Sequence, residues 1–183
     1  MGGSVGILRA ITDRPSVLAG VFGLTSIPWT YAFVGILEIP LWPSFIASAT
    51  VFAAGGGSDG LVRGAASNLA GVGYAALTLG LVTGLLGGDV VTLSLVVGLA
   101  MLVASLHANL PVVSFTPGGF FGFATLFSVH AASATVFGIP GLAGETLATV
   151  VSMVLGAGIG FVVDIASNGL AGTHTDEPVG DSR

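Results

Sequence analysis

Long apolar runs alternate with short polar breaks along this chain, and the breaks set its elements. Apolar stretches cover residues 16–37, 41–54, 61–85, 90–106, 110–137 and 145–165, while Glu38, Asp59, Arg63, Asp89, Glu145 and Asp164 fall between or at the ends of them. A helix needs about 20 apolar residues to cross a hydrocarbon core about 30 Å thick. The pattern therefore predicts an all-α fold with six transmembrane helices. Pro28 should kink the first. Glycines at 55–57 and 60 predict a loop before the third, and Gly138-Ile139-Pro140-Gly141 a turn before the last.

Two segments break the rule. Residues 41–54 would reach only about 21 Å as a helix. The fifth segment opens with Pro111, Pro117, Gly118 and Gly119, all of which resist a regular helix, inside a run from Val90 to Gly144 without Asp, Glu, Lys or Arg. Non-helical backbone at membrane depth is tolerated only where protein covers it or a water-filled cavity solvates it. The stretch is either a site or a packed hinge.

Composition sharpens this picture. Hydrophobic residues are 53% of the chain, charged residues 7%, and mean hydropathy is +1.00, against about 25% charge in a soluble domain. The expected partner is the lipid bilayer. A net charge of −5 without a basic stripe argues against nucleic acid. With no cysteine, disulfides, thiolate metal sites and cysteine nucleophiles are excluded. Arg9 and Arg14 precede an apolar stretch long enough to span, so the N-terminus reads as a first span and not as a removed leader. Arg9, Arg14, Arg63 and Arg183 fall on one face of a six-span layout and Glu38, Asp89 and Glu145 on the other, which predicts cytoplasmic termini. One transmembrane domain, 1–166, is expected, followed by a flexible acidic tail, 167–183.

An internal repeat is expected as well. An offset of 75 carries Gly23-Leu24 onto Gly98-Leu99, Phe45 onto Phe120, and Ala49-Thr50 with Phe52 onto Ala124-Thr125 with Phe127; an offset of 85 carries Ser67, Gly71 and Gly73 onto Ser152, Gly156 and Gly158. The halves, about 16–86 and 90–166, each hold three segments. Two odd-numbered halves in one membrane must run in opposite directions, a 3+3 inverted-topology repeat of the kind found in secondary transporters.

The block from Leu41-Trp42-Pro43-Ser44-Phe45 to Ala53, then Gly64-Ala65-Ala66-Ser67-Asn68, Ser114-Phe115-Thr116-Pro117-Gly118-Gly119-Phe120-Phe121-Gly122 and Ala124-Thr125-Leu126-Phe127, resembles a small membrane-protein family catalogued as domain of unknown function number 1097. The resemblance covers residues 17–163, and Ser-Phe-x-Pro-Gly is its most specific part. It implies a compact prokaryotic inner-membrane protein without an assigned activity. Pro43-Ser44 stands where relatives carry Ala-Gly, which stiffens the entry to segment two, and Asn109 and acidic tail residues replace basic ones.

Candidate chemistry is polar and uncharged. If the two broken segments meet, Ser44, Ser48, Thr50, Ser67, Asn68, Ser114, Thr116 and Thr125, with the freed backbone of Pro117, Gly118 and Gly119, would line a path for a small solute. The alternative is that these hydroxyls bond back to their own helices or tie helices together. Gly80/Gly84, Gly118/Gly122 and Gly156/Gly160 form small-x-x-x-small steps for close packing, which makes segment six a candidate central or oligomer-facing helix and a homo-oligomer a candidate partner. Arg63 and Asp164, placed at one depth, are expected to pair. His107, His130 and His174 have no ligand spacing, so no metal or cofactor is expected. Without a nucleophile set, paired carboxylates or a phosphate loop, the chain does not read as an enzyme. The reading is a solute channel or transporter; its rival is a structural or accessory protein packed through glycine.

Overall fold

The computed structural model describes residues 14–172, which are all helical apart from short connections. Six α-helices follow one another: α1 (Arg14–Thr30), α2 (Trp42–Ala53), α3 (Gly57–Gly84), α4 (Val90–Leu106), α5 (Thr116–Ala131) and α6 (Gly141–Gly172). Among the described residues, three stretches are long and apolar enough to cross a membrane: Pro15–Ile36, Gly57–Gly84 and Gly141–Ala171. The all-α reading and the apolar character of a membrane protein hold at this level.

Several expected boundaries move, each for a local reason. Pro28 leaves α1 continuous, and the register instead loosens into a π-helix over Tyr31–Ile36, beyond the proline that cannot donate to the carbonyl four residues back. The loop expected at 55–60 shrinks to Ala54-Gly55-Gly56, because the Gly57 N–H donates to the Asp164 carboxylate (2.8 Å) and Asp59 suits the positive end of the α3 dipole. Gly55 and Gly56 take φ of +110° and +69° there, which favours glycine. α4 starts at Val90 as expected, its N-terminal amides capped by Asp89.

The fifth segment opens irregularly, with a 3-10 turn at Pro111–Val113 that follows another at His107–Asn109, whereas Pro117, Gly118 and Gly119, expected to resist a helix, form the first turn of α5, where a proline's missing N–H is no loss. α5 ends at Ala131, well before the expected 137. The chain turns off through Ser133 and Phe137 at positive φ and buries Val136 beside Trp29, Phe33 and Ile39. α6 outruns its expected 145–165 at both ends. Ser167, 1% exposed, belongs to its buried face, so the expected tail is helical to Gly172; residues 173–183, like Arg9, lie outside the described part.

The packing is ordered around α3 and α6, which lie side by side at the centre. α5 lies along α3 and α2 along α6, while α1 covers α6 and α4 covers α3. Glycine makes the two main contacts close. A Cβ on Gly71 would fall 1.9 Å from the Gly119 carbonyl oxygen, and one on Gly122 1.9 Å from that of Asn68. On the other side a Cβ on Gly156 would fall 2.1 Å from the Ser44 carbonyl oxygen, and one on Gly160 2.7 Å from the Ser48 Cα. Of the three expected glycine steps, two pack in this way; Gly84 faces open space and Gly80 meets only the tip of Leu142.

Candidate functional site

α2 and α5 touch each other only lightly, so the two interrupted segments do not join into a polar path. Between them runs an apolar groove of about 480 Å³, lined by Ile46, Ala49, Phe121, Ala124, Thr125 and Ser128 and open to the outside. Trp42 bridges its rim by donating to the Ser128 hydroxyl (3.1 Å). The expected lining is turned inward instead, toward α3 and α6, because each short helix buries its small-residue face against a long one.

Most candidate hydroxyls there are spent on protein. Ser44, Ser48, Thr50 and Thr125 are at most 1% exposed and donate to Leu41, Phe45, Ile46 and Phe121 carbonyls, bonds within or just before their own helices. Ser44 also accepts from the Trp29 indole N–H (2.9 Å). Ser114, on the rim, donates to Pro111 (2.9 Å), and Thr116 and Pro117 lie toward the outside, so these three are separated from the buried set. Gly118 and Gly119 are buried at the first turn of α5.

Three buried atoms break the pattern. Among the described residues, Ser67 Oγ, Asn68 Nδ2 and His107 Nε2 have no hydrogen-bond partner, on residues 0%, 1% and 6% exposed. Leaving such an atom unmade costs about 1–3 kcal/mol. Asn68 has its other end engaged, Oδ1 lying 3.4 Å from the Thr50 hydroxyl, and borders a narrow crevice between α3 and α6. Ser67 and His107 flank the start of α5. The Ser67 Cβ lies 2.9 Å from where a Gly118 Cβ would stand, and His107 Nε2 3.3 Å from where a Gly119 Cβ would stand. The other ring nitrogen of His107, Nδ1, is hydrogen-bonded to the Tyr74 hydroxyl (3.1 Å).

Charged groups sit at the ends of the bundle. The expected Arg63–Asp164 pair is not made: Arg63 donates to the Ala54 carbonyl (2.7 Å) while Asp164 accepts from the Gly57 N–H, so both grip one glycine turn from different sides. Among the described residues, His130 and Glu145 do pair, with Nδ1 2.6 Å from Oε2 and Glu145 buried. Fifteen residues separate them in sequence, and only the turn between α5 and α6 brings them together. Among the described residues no group of three or more His, Cys, Asp or Glu is placed to hold a metal.

The profile of a family described as "Protein of unknown function (DUF1097)" matches residues 19–168. No curated protein and no solved structure matches.

Proposed function

Because the chain belongs to the DUF1097 family of unknown function, we propose from its geometry that it is a multi-pass protein of the cytoplasmic membrane, built as two inverted halves of three crossings each, that binds and passes a small solute. The observation that carries the reading is that the packing repeats at the sequence offsets of 75 and 85. Gly71 against Gly119 in one pair of helices is Gly156 against Ser44 in the other. Thr50 donating to Ile46 becomes Thr125 donating to Phe121.

The cavities obey the same offsets. The surface groove that includes Tyr74, Leu77 and Ala100 has as its counterpart the groove that includes Ile159, Val162 and Thr25. The α2–α5 groove maps onto itself, Ile46 with Phe121 and Ala49 with Ala124, as does the α3–α6 crevice, Asn68 with Met153 and Leu69 with Val154. An axis running through these two self-paired spaces relates the halves, and inverted halves with an interrupted segment in each are a recurrent transporter architecture, with sites where helices break.

A second reading has its own support. The dry contacts at Ser44, Thr50 and Thr125 are what a non-transporting protein packed through glycine would show. Two experiments separate the claims. The chain has no native cysteine, so single cysteines at Glu38, Ser58, Asp89 and Asn168 can be tested with an impermeant thiol reagent. Glu38 and Asp89 should label from one side of the membrane and Ser58 and Asn168 from the other; all four from one side would remove the six-crossing layout. Uptake of small neutral and charged solutes into proteoliposomes then tests transport, and no flux for any of them leaves the second reading.

A further inference from the structure

We infer that the outward face of α3 is an interface between two copies of this chain, related by a two-fold axis along the membrane normal so that their α3 helices lie parallel and in contact. The interface is independent of whether the protein passes a solute. Val62, Leu69 and Ala76, and likewise Ala66, Gly73 and Gly80, recur at intervals of seven residues, the period that keeps one narrow seam of a helix facing a parallel neighbour. Two residues turn a helix by about 200°, so Gly73 stands on the side of α3 away from Gly71, which is packed against α5. Among the described residues nothing covers the seam fully: Val62 is 54% exposed, Gly73 is exposed, and the other four are half-buried.

Small residues on an outward membrane face call for a reason. Glycine weakens a helix relative to alanine, and lipid tails are as apolar as leucine, so an open glycine offers a lipid nothing; helices in a bilayer associate instead through close backbone approach at small residues. A Cβ on Gly73 would meet nothing within 4 Å, and one on Gly80 only the tip of Leu142 at 3.7 Å. Gly20, Gly23 and Gly98 also face open space, but they lie on α1 and α4 and do not recur at seven-residue spacing. A second observation lies beside Leu69. The crevice there is lined by Asn68, 1% exposed, whose Nδ2 has no hydrogen-bond partner within the chain, and amides of membrane helices bond across helix interfaces.

Self-complementarity and area select a second copy as the occupant. Two copies inserted the same way round share their helix directions, and a two-fold axis along the membrane normal then sets Ala66, Gly73 and Gly80 opposite their own equivalents, small against small through two heptads. No Asp, Glu, Lys or Arg occurs between Gly64 and Gly88, so the seam neither repels its own copy nor asks for a partner of opposite charge. The face extends onto the neighbouring α6, where Val154 and Ile165 are 49% and 53% exposed. α3 has 28 residues and is about 42 Å long, and two helices side by side are about 20 Å wide. The face therefore offers about 800 Å² per copy, the area that each side of a stable interface contributes.

The test uses the full chain in liposomes. Because the chain has no cysteine, single cysteines report the contact. Under a mild oxidant Ala66→Cys should give a disulfide-linked dimer, which needs Cα atoms within about 7 Å, whereas Leu99→Cys on α4 and Ala124→Cys in the α2–α5 groove, both exposed, should not. Energy transfer between copies labelled at Glu38→Cys, followed as the protein is diluted with lipid, gives the dissociation constant. Gly73→Ile should raise that constant about tenfold or more by overpacking the seam. It should not lower the thermal midpoint in detergent at a dilution that separates the copies, since a Cβ there meets nothing in its own chain. No energy transfer at any protein-to-lipid ratio leaves lipid on the face and overturns the interface. Transfer with an unchanged constant in Gly73→Ile, or cross-linking at Leu99→Cys or Ala124→Cys in place of Ala66→Cys, places the contact elsewhere and overturns the seam. The cross-link and the parent's dissociation constant are read without Gly73→Ile, so they decide the matter even where that variant folds poorly.

Discussion

Gly71 on α3 and Gly119 on α5 are in backbone contact, so that a Cβ on Gly71 would overlap the Gly119 carbonyl oxygen at 1.9 Å. Gly156 stands in the same way to Ser44, at 2.1 Å. Backbone cannot yield as a flexible side-chain tip can, so these contacts fix how closely each short helix sits on its long partner.

Alanine at either glycine should therefore be costly. Gly71→Ala and Gly156→Ala are each expected to destabilise by about 1–3 kcal/mol or more, the range for overpacking. Gly73→Ala and Gly158→Ala, where a Cβ meets nothing within 4 Å, should be neutral or stabilising by up to about 1 kcal/mol through helix propensity. Thermal unfolding in detergent compares the four, and equal midpoints across them would show that the close contacts are not made.

Ser152→Ala removes a buried bond to the Pro40 carbonyl and leaves that acceptor unpaired. A loss of about 1–3 kcal/mol is expected. Ser67→Ala, which removes no bond within the protein, should lose nothing, so the difference between the two midpoints measures the bond that Ser152 makes.

His130→Ala would leave the buried Glu145 side chain without its hydrogen-bonded neighbour. Destabilisation of about 1–3 kcal/mol is expected, and His130→Ala combined with Glu145→Ala should recover part of it, because the second change removes the stranded carboxylate. A double-mutant cycle with no coupling would mean that the 2.6 Å contact contributes nothing.

Asp89 gives a pH dependence with a definite sign. The Thr92 hydroxyl, then the Thr92 and Val91 backbone N–H groups, stabilise its carboxylate and hold its pKa below the ordinary 3.8. A carboxyl whose pKa is depressed on folding adds stability that is fully present above pH 3.8 and is lost as pH falls through the lower folded value. Amide protection in the first turn of α4, measured against the intrinsic exchange rate at each pH, should therefore fall on acidification below about pH 4 in the parent chain, with a smaller change in Asp89→Asn. An equal response in both chains would exclude Asp89 as the cause.

The sequence by itself determined the helical class, the apolar character, the Val90 start of α4 and the broken entry to α5, because prolines, glycines and charge act locally on backbone and solvation. Only the tertiary structure decided where the hydroxyls point, that Arg63 and Asp164 hold one turn instead of each other, and that His130 meets Glu145. Those outcomes depend on which helices become neighbours, and a hydroxyl next to its own free carbonyl reads the same in sequence whether it faces a cavity or a glycine. His107 and Ser67 illustrate the limit: each is an ordinary polar residue along the chain, and only the packing beside Gly118 and Gly119 leaves Ser67 Oγ and His107 Nε2 buried without a partner.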